Sequence, residues 1–265
     1  MSSFSKRWED LQFYDNYIFC RVMEEPEMCR RMLEILLGIE IEKIEYLVSE
    51  RHIETEYTSR GVRLDIFVKN SDRIFNLEMQ TGDYADIQER ARYYHSAMDI
   101  DETERGIYYR NLKENYVLFI CLHDPFTADL PIYTRKTSFF ETDIVPYDDK
   151  THTVFYNTSA YDKAEDSEVR AVLKFISTLK TDSAFTRELE HTVERVKSDR
   201  DHRSRYMTVA QEIEWEKTLS FKEGEQSMLL QMIQVKLAKN KSPEQIADEI
   251  ELSLEKTLEL INQVS

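Results

Sequence analysis

Val62-Arg63-Leu64-Asp65-Ile66-Phe67-Val68, the turn Asn70-Ser71-Asp72, and Ile74-Phe75-Asn76-Leu77-Glu78-Met79-Gln80 decide how this chain folds. The first and last stretches are apolar every second residue, which is the period of a strand. Asn-Ser-Asp between them is turn chemistry, so residues 62–80 read as a hairpin. In the first strand Val62, Leu64, Ile66 and Val68 are expected to share one face. In the second, Leu77 and Met79 point into packing while Glu78 and Gln80 point the other way. Asp65 lies on the partner strand, and cross-strand neighbours sit about 5 Å apart. Asp65, Glu78 and Gln80 are therefore expected to converge.

That trio suits divalent-metal chemistry. Two carboxylates from adjacent strands can share a Mg²⁺ ion that keeps several waters and takes phosphate oxygens. Such an ion lowers the pKa of a bound water and offsets charge developing on a phosphate. Gln80 can orient the attacking water but supplies no positive charge. Carboxylates on strand faces are usually just solvated, but here Leu64 and Leu77 flank the two acids in apolar strands.

Working outward, Leu11, Tyr14, Ile18 and Val22 recur at helical spacing over 10–24. Pro26 breaks that segment, and Glu27–Leu37 resumes as a helix closed by Gly38. Ile44–Tyr57 reads as a strand. After Thr81-Gly82-Asp83 ends the hairpin, Ala85–Asp99 reads as a helix through Ile87, Ala91, Tyr94 and Met98. Tyr116–Leu122 is a continuous apolar run, the pattern of a strand covered on both faces. Ile132–Phe139 and Thr153–Tyr156 read as further strands. From Glu165 the pattern is helical. Val169–Leu179 is one helix, Glu188–Lys222 a charged helix or pair, Gly224 a joint, and Ser227–Lys239 an amphipathic segment. Ser242-Pro243-Glu244-Gln245 carries a capping box, and Ser253 caps Leu254–Val264. The order predicts an α/β (α+β) domain with a mixed sheet over 1–160, and a helical region over 161–265 with a small helix-turn-helix-like tail.

Composition excludes several classes. The chain has 265 residues, 41% of them hydrophobic, enough for one large domain or one domain with an appendage. Five Gly and five Pro argue against a turn-rich all-β protein. Six His without HxxxH or HExxH spacing give no zinc signal. There is no Gly-rich phosphate loop and no GxSxG elbow. Three Cys without CxxC spacing read as reduced thiols in a cytoplasmic chain. No run of about 18 apolar residues is present and the first residues show no apolar signal core, so no membrane partner is expected. The net charge of −16 opposes a nucleic-acid partner globally, although a bound cation reverses the local sign.

Five blocks, in order, resemble a known family: Asp15-Asn16-Tyr17-Ile18-Phe19, Gly61–Asp65, Asn76–Gln80, Arg90-Ala91-Arg92-Tyr93-Tyr94-His95-Ser96, and Tyr116–Cys121. Asp65 with Glu78-Met79-Gln80 is similar to the D…(D/E)xK signature of PD-(D/E)XK nucleases, in the variant where Gln replaces Lys. The set resembles the recombination-promoting nuclease (Rpn) family, also labelled PD-(D/E)XK family transposases, over about residues 10–160. The resemblance implies a restriction-endonuclease-like αβββαβ core and Mg²⁺-dependent cleavage of DNA phosphodiesters, with Mn²⁺ as a possible substitute. It also implies a link to recombination or mobile elements. Asp65 and Glu78 are then the metal ligands, with Gln80 completing the catalytic trio.

Some residues have two readings. Asp15 is either a third acidic ligand or a helix-start acid favoured by the macrodipole. Arg92, four residues after Gln88 on one helix face, is a candidate for the charge that Gln80 lacks; no step is assigned to Gln88. Arg90 and Arg92 either contact phosphate or pair with surface acids. The tail, with Glu255 and Glu259 on its second helix, is a poor groove reader, and packing on the main domain or on a second copy fits it better. A catalytically degenerate member acting as an interaction module is the alternative to an endonuclease.

Overall fold

The computed structural model describes residues 6–53, 61–82, 84–103, 108–142 and 144–264. The expected continuation of the first strand to Tyr57, and Asp83 of the strand-ending tripeptide, lie outside the described residues. The described chain forms two compact units, Arg7–Arg203 and Ser204–Ser265 with the N-terminal residues to Lys6.

In the larger unit, a short 3-10 turn at Trp8–Asp10 precedes helix α1 (Asn16–Met23) and helix α2 (Pro26–Leu37). Pro26 sits in the first turn of α2, where its missing N–H costs nothing. Gly38 ends the helix at φ +65°, and its N–H donates to the Glu34 carbonyl at 2.9 Å. This left-handed position favours glycine. Gly38→Ala is expected to destabilise the unit by about 1 kcal/mol, read as a shift in denaturant midpoint.

Three strands follow, β1 (Tyr46–Ile53), β2 (Val62–Lys69) and β3 (Arg73–Gln80), then helix α3 (Ile87–Glu102). Strands β4 (Glu114–Cys121), β5 (Ile132–Thr134) and β6 (Thr151–Asn157) complete a mixed sheet in the order β1-β2-β3-β4-β6-β5. β1, β2 and β3 are antiparallel, β4 runs parallel to β3 and β6, and β5 is antiparallel to β6. This is the expected αβββαβ order. β4 is buried on both faces from Asn115 to Cys121, which explains its unbroken apolar run. β5 is shorter than the expected 132–139.

The sheet is covered on both faces. On β6, Phe155 packs in the apolar cluster beneath α3, whereas the next residue, Tyr156, donates its hydroxyl to the Leu36 carbonyl of α2. Helices α4 (Ser167–Thr178) and α5 (Ala184–Ser198) belong to this unit, which runs on past residue 160 because Val169, Val172, Phe175, Phe185 and Leu189 are buried in it. α4 packs on α2, and α5 packs on α1.

One alternation departs from expectation. Val62 and Leu64 join Phe67 in the cluster beneath α3, while Ile66 and Val68 are buried outside it. The faces switch around Asp65. On β1, Glu50 lies between the pairs Ser49–Ile66 and Arg51–Leu64 and takes a left-handed φ of +52°, so the strand kinks opposite Asp65.

Helix α6 (Arg200–Ala238) starts in the larger unit and continues into the smaller. Gly224 is no joint, since α6 runs through it: one helical glycine costs roughly 1 kcal/mol against alanine, too little to end a helix this long. The break falls at Asp199, whose side chain accepts from the N–H groups of Asp201 and His202 at 2.7 and 3.2 Å. In the smaller unit α7 (Pro243–Glu249) carries the expected capping box, with Ser242 and Gln245 bonded reciprocally. α8 (Leu254–Val264) closes on α6 and α7 through Ile233, Ile246 and Leu260. Among the described residues no helix is long and apolar enough to cross a membrane.

Candidate active site

Asp65 and Glu78 meet where β2 and β3 part. The ladder between these strands runs from Lys69–Ile74 to Ile66–Leu77, and extending it by one step sets Asp65 opposite Glu78. Side chains take over there from ladder carbonyls. The Asp65 N–H donates to Glu78 Oε1 at 3.0 Å, and the Met79 N–H donates to Asp65 Oδ2 at 3.1 Å. Leu77 and Met79 are buried, away from α3, as expected. Glu78 and Gln80 face α3.

Both acids are removed from water, Asp65 at 6% exposure and Glu78 at 1%. Burial, and then the charge of Asp65, push the Glu78 carboxyl up to about 8. Burial also raises Asp65, opposed by the Met79 N–H, by Arg63 and by the Asn16 amide. Asn16, the first residue of α1, donates Nδ2 to Asp65 Oδ1 at 2.9 Å. Glu50, across the strand, adds negative charge near Asp65 and faces Arg21 and Arg63 at 3.4 and 3.7 Å.

A cation beside Glu78 comes from α3. Arg90 places Nη2 at 3.8 Å from Glu78 Oε2, and donates from Nη1 to Gln80 Oε1 at 3.0 Å and from Nη2 to the Tyr94 hydroxyl at 3.2 Å. Its guanidinium also lies over the rings of Tyr94 and Phe119. Beside it an open depression of about 700 Å³ is lined by Arg63, Arg90, Arg92, Tyr93, Asp86 and Glu89, among others.

Glu78 thus links the two sides of the site: its Oε1 accepts from the Asp65 N–H, and its Oε2 lies near Arg90, which holds Gln80, while Asn16 holds the Asp65 carboxylate. Asp15 stands at the N-cap position of α1, and its carboxylate accepts from the Gln12 N–H at 2.7 Å; its neighbour Asn16 is the residue that reaches Asp65. Arg92 is exposed at the rim of the depression. Arg90, two residues earlier, occupies the place proposed for it beside Gln80. The apolar stripe of α3 carried the signal: Arg90 lies one turn before Tyr94 on the buried flank, while Arg92 projects about 140° from Ile87 at 100° per residue. Asn16 carried no comparable signal, because its contact spans the distance from α1 to β2.

The donor set fits a Mg²⁺ ion better than zinc. Among the described residues no group of three or more His, Cys, Asp or Glu side chains could hold a metal. Magnesium needs fewer protein ligands, commonly one or two carboxylates completed by water and substrate phosphate. Asp65 and Glu78 would supply those two carboxylates, and burial raises the proton affinity of both, which a divalent cation would offset.

Comparison with known proteins identifies a family. The family model described as PD-(D/E)XK nuclease family transposase matches residues 16–231, which span both the sheet and most of α6. No curated protein and no solved structure matches the chain. With its mixed six-strand sheet and its paired acids at the parting of β2 and β3, the chain belongs to the PD-(D/E)XK nuclease family transposases.

Proposed function

We propose that this protein is a Mg²⁺-dependent DNA endonuclease, with Mn²⁺ able to substitute, acting in recombination or on mobile elements. The observation that carries the reading is the convergence of two buried carboxylates beside Gln80 and Arg90, next to a depression rimmed by Arg63 and Arg92. Asp65 and Glu78 would hold the ion, which supplies an acidified water and charge stabilisation at the phosphorus. Gln80 positions the attacking water through its amide. Asn16 and the Met79 N–H hold the Asp65 carboxylate in place, and Arg92 can steady a flanking phosphate. The buried thiols Cys20, Cys29 and Cys121 suit a reducing, cytoplasmic setting.

A plasmid-nicking assay tests this. Relaxation of supercoiled DNA is expected with Mg²⁺ or Mn²⁺, is abolished by a chelator, and is absent from Asp65→Ala. The net charge of −16 and the neutral Gln80 favour a second reading, a non-catalytic member acting as an interaction module that self-associates through the helical C-terminal region. Folded wild-type protein that neither nicks DNA nor binds Mn²⁺ would establish that reading instead.

A further inference from the structure

We infer that Arg90 and Gln80 act as one composite group, Arg90 supplying to the scissile phosphate the positive charge that position 80 lacks and fixing which end of the Gln80 amide faces the reaction. The inference rests on the endonuclease reading and adds a phosphate-contacting residue to it.

The argument starts from donor inventory. A guanidinium only donates, so the Gln80 oxygen must face Arg90 Nη1, at 3.0 Å. The amide NH₂ is thereby turned to the opposite side, where it can donate to an oxygen of water or phosphate but cannot accept a proton. The pair thus presents fixed donors and one positive charge, which are the two properties a lysine would combine at this position.

The second point is that Arg90 is built into the site. One Nη donates to Gln80 while the other, at 3.2 Å from the Tyr94 hydroxyl, lies 3.8 Å from Glu78. Tyr94 is one helical turn on and stacks against Phe119 of β4, so packing on the sheet holds the fork's support. The separation from Glu78 is longer than a hydrogen bond, so the charge is only partly committed to that carboxylate. Arg90 also lines the depression beside the acids, which gives it access to a bound anion. Arg92, on the exposed side of α3, has no such link to Gln80.

The same geometry sets a sign. A guanidinium near Glu78 repels a metal ion, so removing it should tighten cation binding while slowing cleavage. A residue that merely supports the fold would weaken both.

The test uses the full chain, with wild type, Arg90→Gln, Arg90→Lys, and Arg90→Gln combined with Gln80→Lys. Nicking is followed to separate kcat from KM, and Mn²⁺ binding without DNA is measured by calorimetry. Arg90→Gln is expected to lower kcat roughly 100-fold with a smaller change in KM, as for loss of one preorganised donor. Its Mn²⁺ affinity should rise several-fold. Arg90→Lys should keep kcat within about tenfold of wild type, because charge survives while the fork is lost. Gln80→Lys in the Arg90→Gln background should recover at least about tenfold, since the charge returns at the neighbouring position. If Arg90→Gln fails to fold by circular dichroism, Arg90→Met, which keeps the aliphatic stem, takes its place. Active wild type with an unchanged Arg90→Gln kcat, or with no recovery in the double variant, overturns the inference and leaves the endonuclease reading standing. Wild type that neither nicks nor binds Mn²⁺ overturns both.

Discussion

Glu78→Gln is expected to eliminate metal-dependent nicking and to leave a folded protein that melts no lower than wild type in the absence of cation. The substitution keeps the shape of the side chain and an oxygen to accept the Asp65 N–H, so the parting of β2 and β3 stays bridged. It removes a fully buried acid whose proton affinity is raised by burial and by Asp65, and with it the cost of ionising that acid beside another. The loss in nicking rate should be roughly 10³-fold or more, about 4 kcal/mol of transition-state stabilisation. A melting curve with and without Mn²⁺ completes the measurement. Wild type should gain stability from the ion by mass action, and the variant should gain little. Nicking by Glu78→Gln at near wild-type rate would remove Glu78 from the chemistry.

The second large effect is acid sensitivity carried by His95, on the face of α3 turned toward the sheet. Its ring nitrogens lie 2.8 Å from Asn115 Oδ1 and 2.8 Å from Thr153 Oγ1, and the residue is 5% exposed. Asn115 offers an oxygen, so Nδ1 carries the proton and Nε2 accepts from Thr153. Burial pushes the imidazole down to about 4, against an ordinary value of 6.5. The unfolded chain therefore binds more protons between those values, and stability is lost as pH falls from about 6.5 to about 4. The difference amounts to about 3 kcal/mol once both transitions are passed. Denaturant midpoints between pH 7 and pH 4 read it directly. His95→Gln should start lower at pH 7, by roughly 1–3 kcal/mol for the disrupted bonds, and should show a shallower decline. An equally steep decline in His95→Gln would assign the acid lability elsewhere.

Strand and helix periods were legible wherever local pattern and burial agree. The hairpin, the run in β4, the Gly38 stop and the Ser242 capping box all follow from residues within a few positions of one another. That Glu78 and Gln80 share a face was legible for the same reason, since alternation along β3 fixes it; Asp65 meets Glu78 one step beyond the β2–β3 ladder. What escaped the sequence depends on partners distant along the chain. The face switch in β2 comes with a kink at Glu50 on another strand. The link from Asn16 to Asp65 crosses from a helix to the sheet. The choice of Arg90 over Arg92 needed the orientation of α3 as well as its existence. Gly224 shows the opposite case, where a residue that often ends helices is carried by a helix too long for it to interrupt.

Trp8 donates its indole N–H to the Lys197 carbonyl at 3.0 Å, the Lys197 ammonium caps the carbonyls of Glu9 and Leu11, and Arg203 pairs with Glu9 at 2.7 Å. The first and last residues of the larger unit are thereby clasped together. A gene re-cut between the exposed turn residues Ser71 and Asp72, with residues 7 and 203 spliced by a short linker, should give a circular permutant of the same architecture. Removal of everything after Arg203 should likewise spare the clasp, so that the sheet and its paired acids can be studied in a shortened protein.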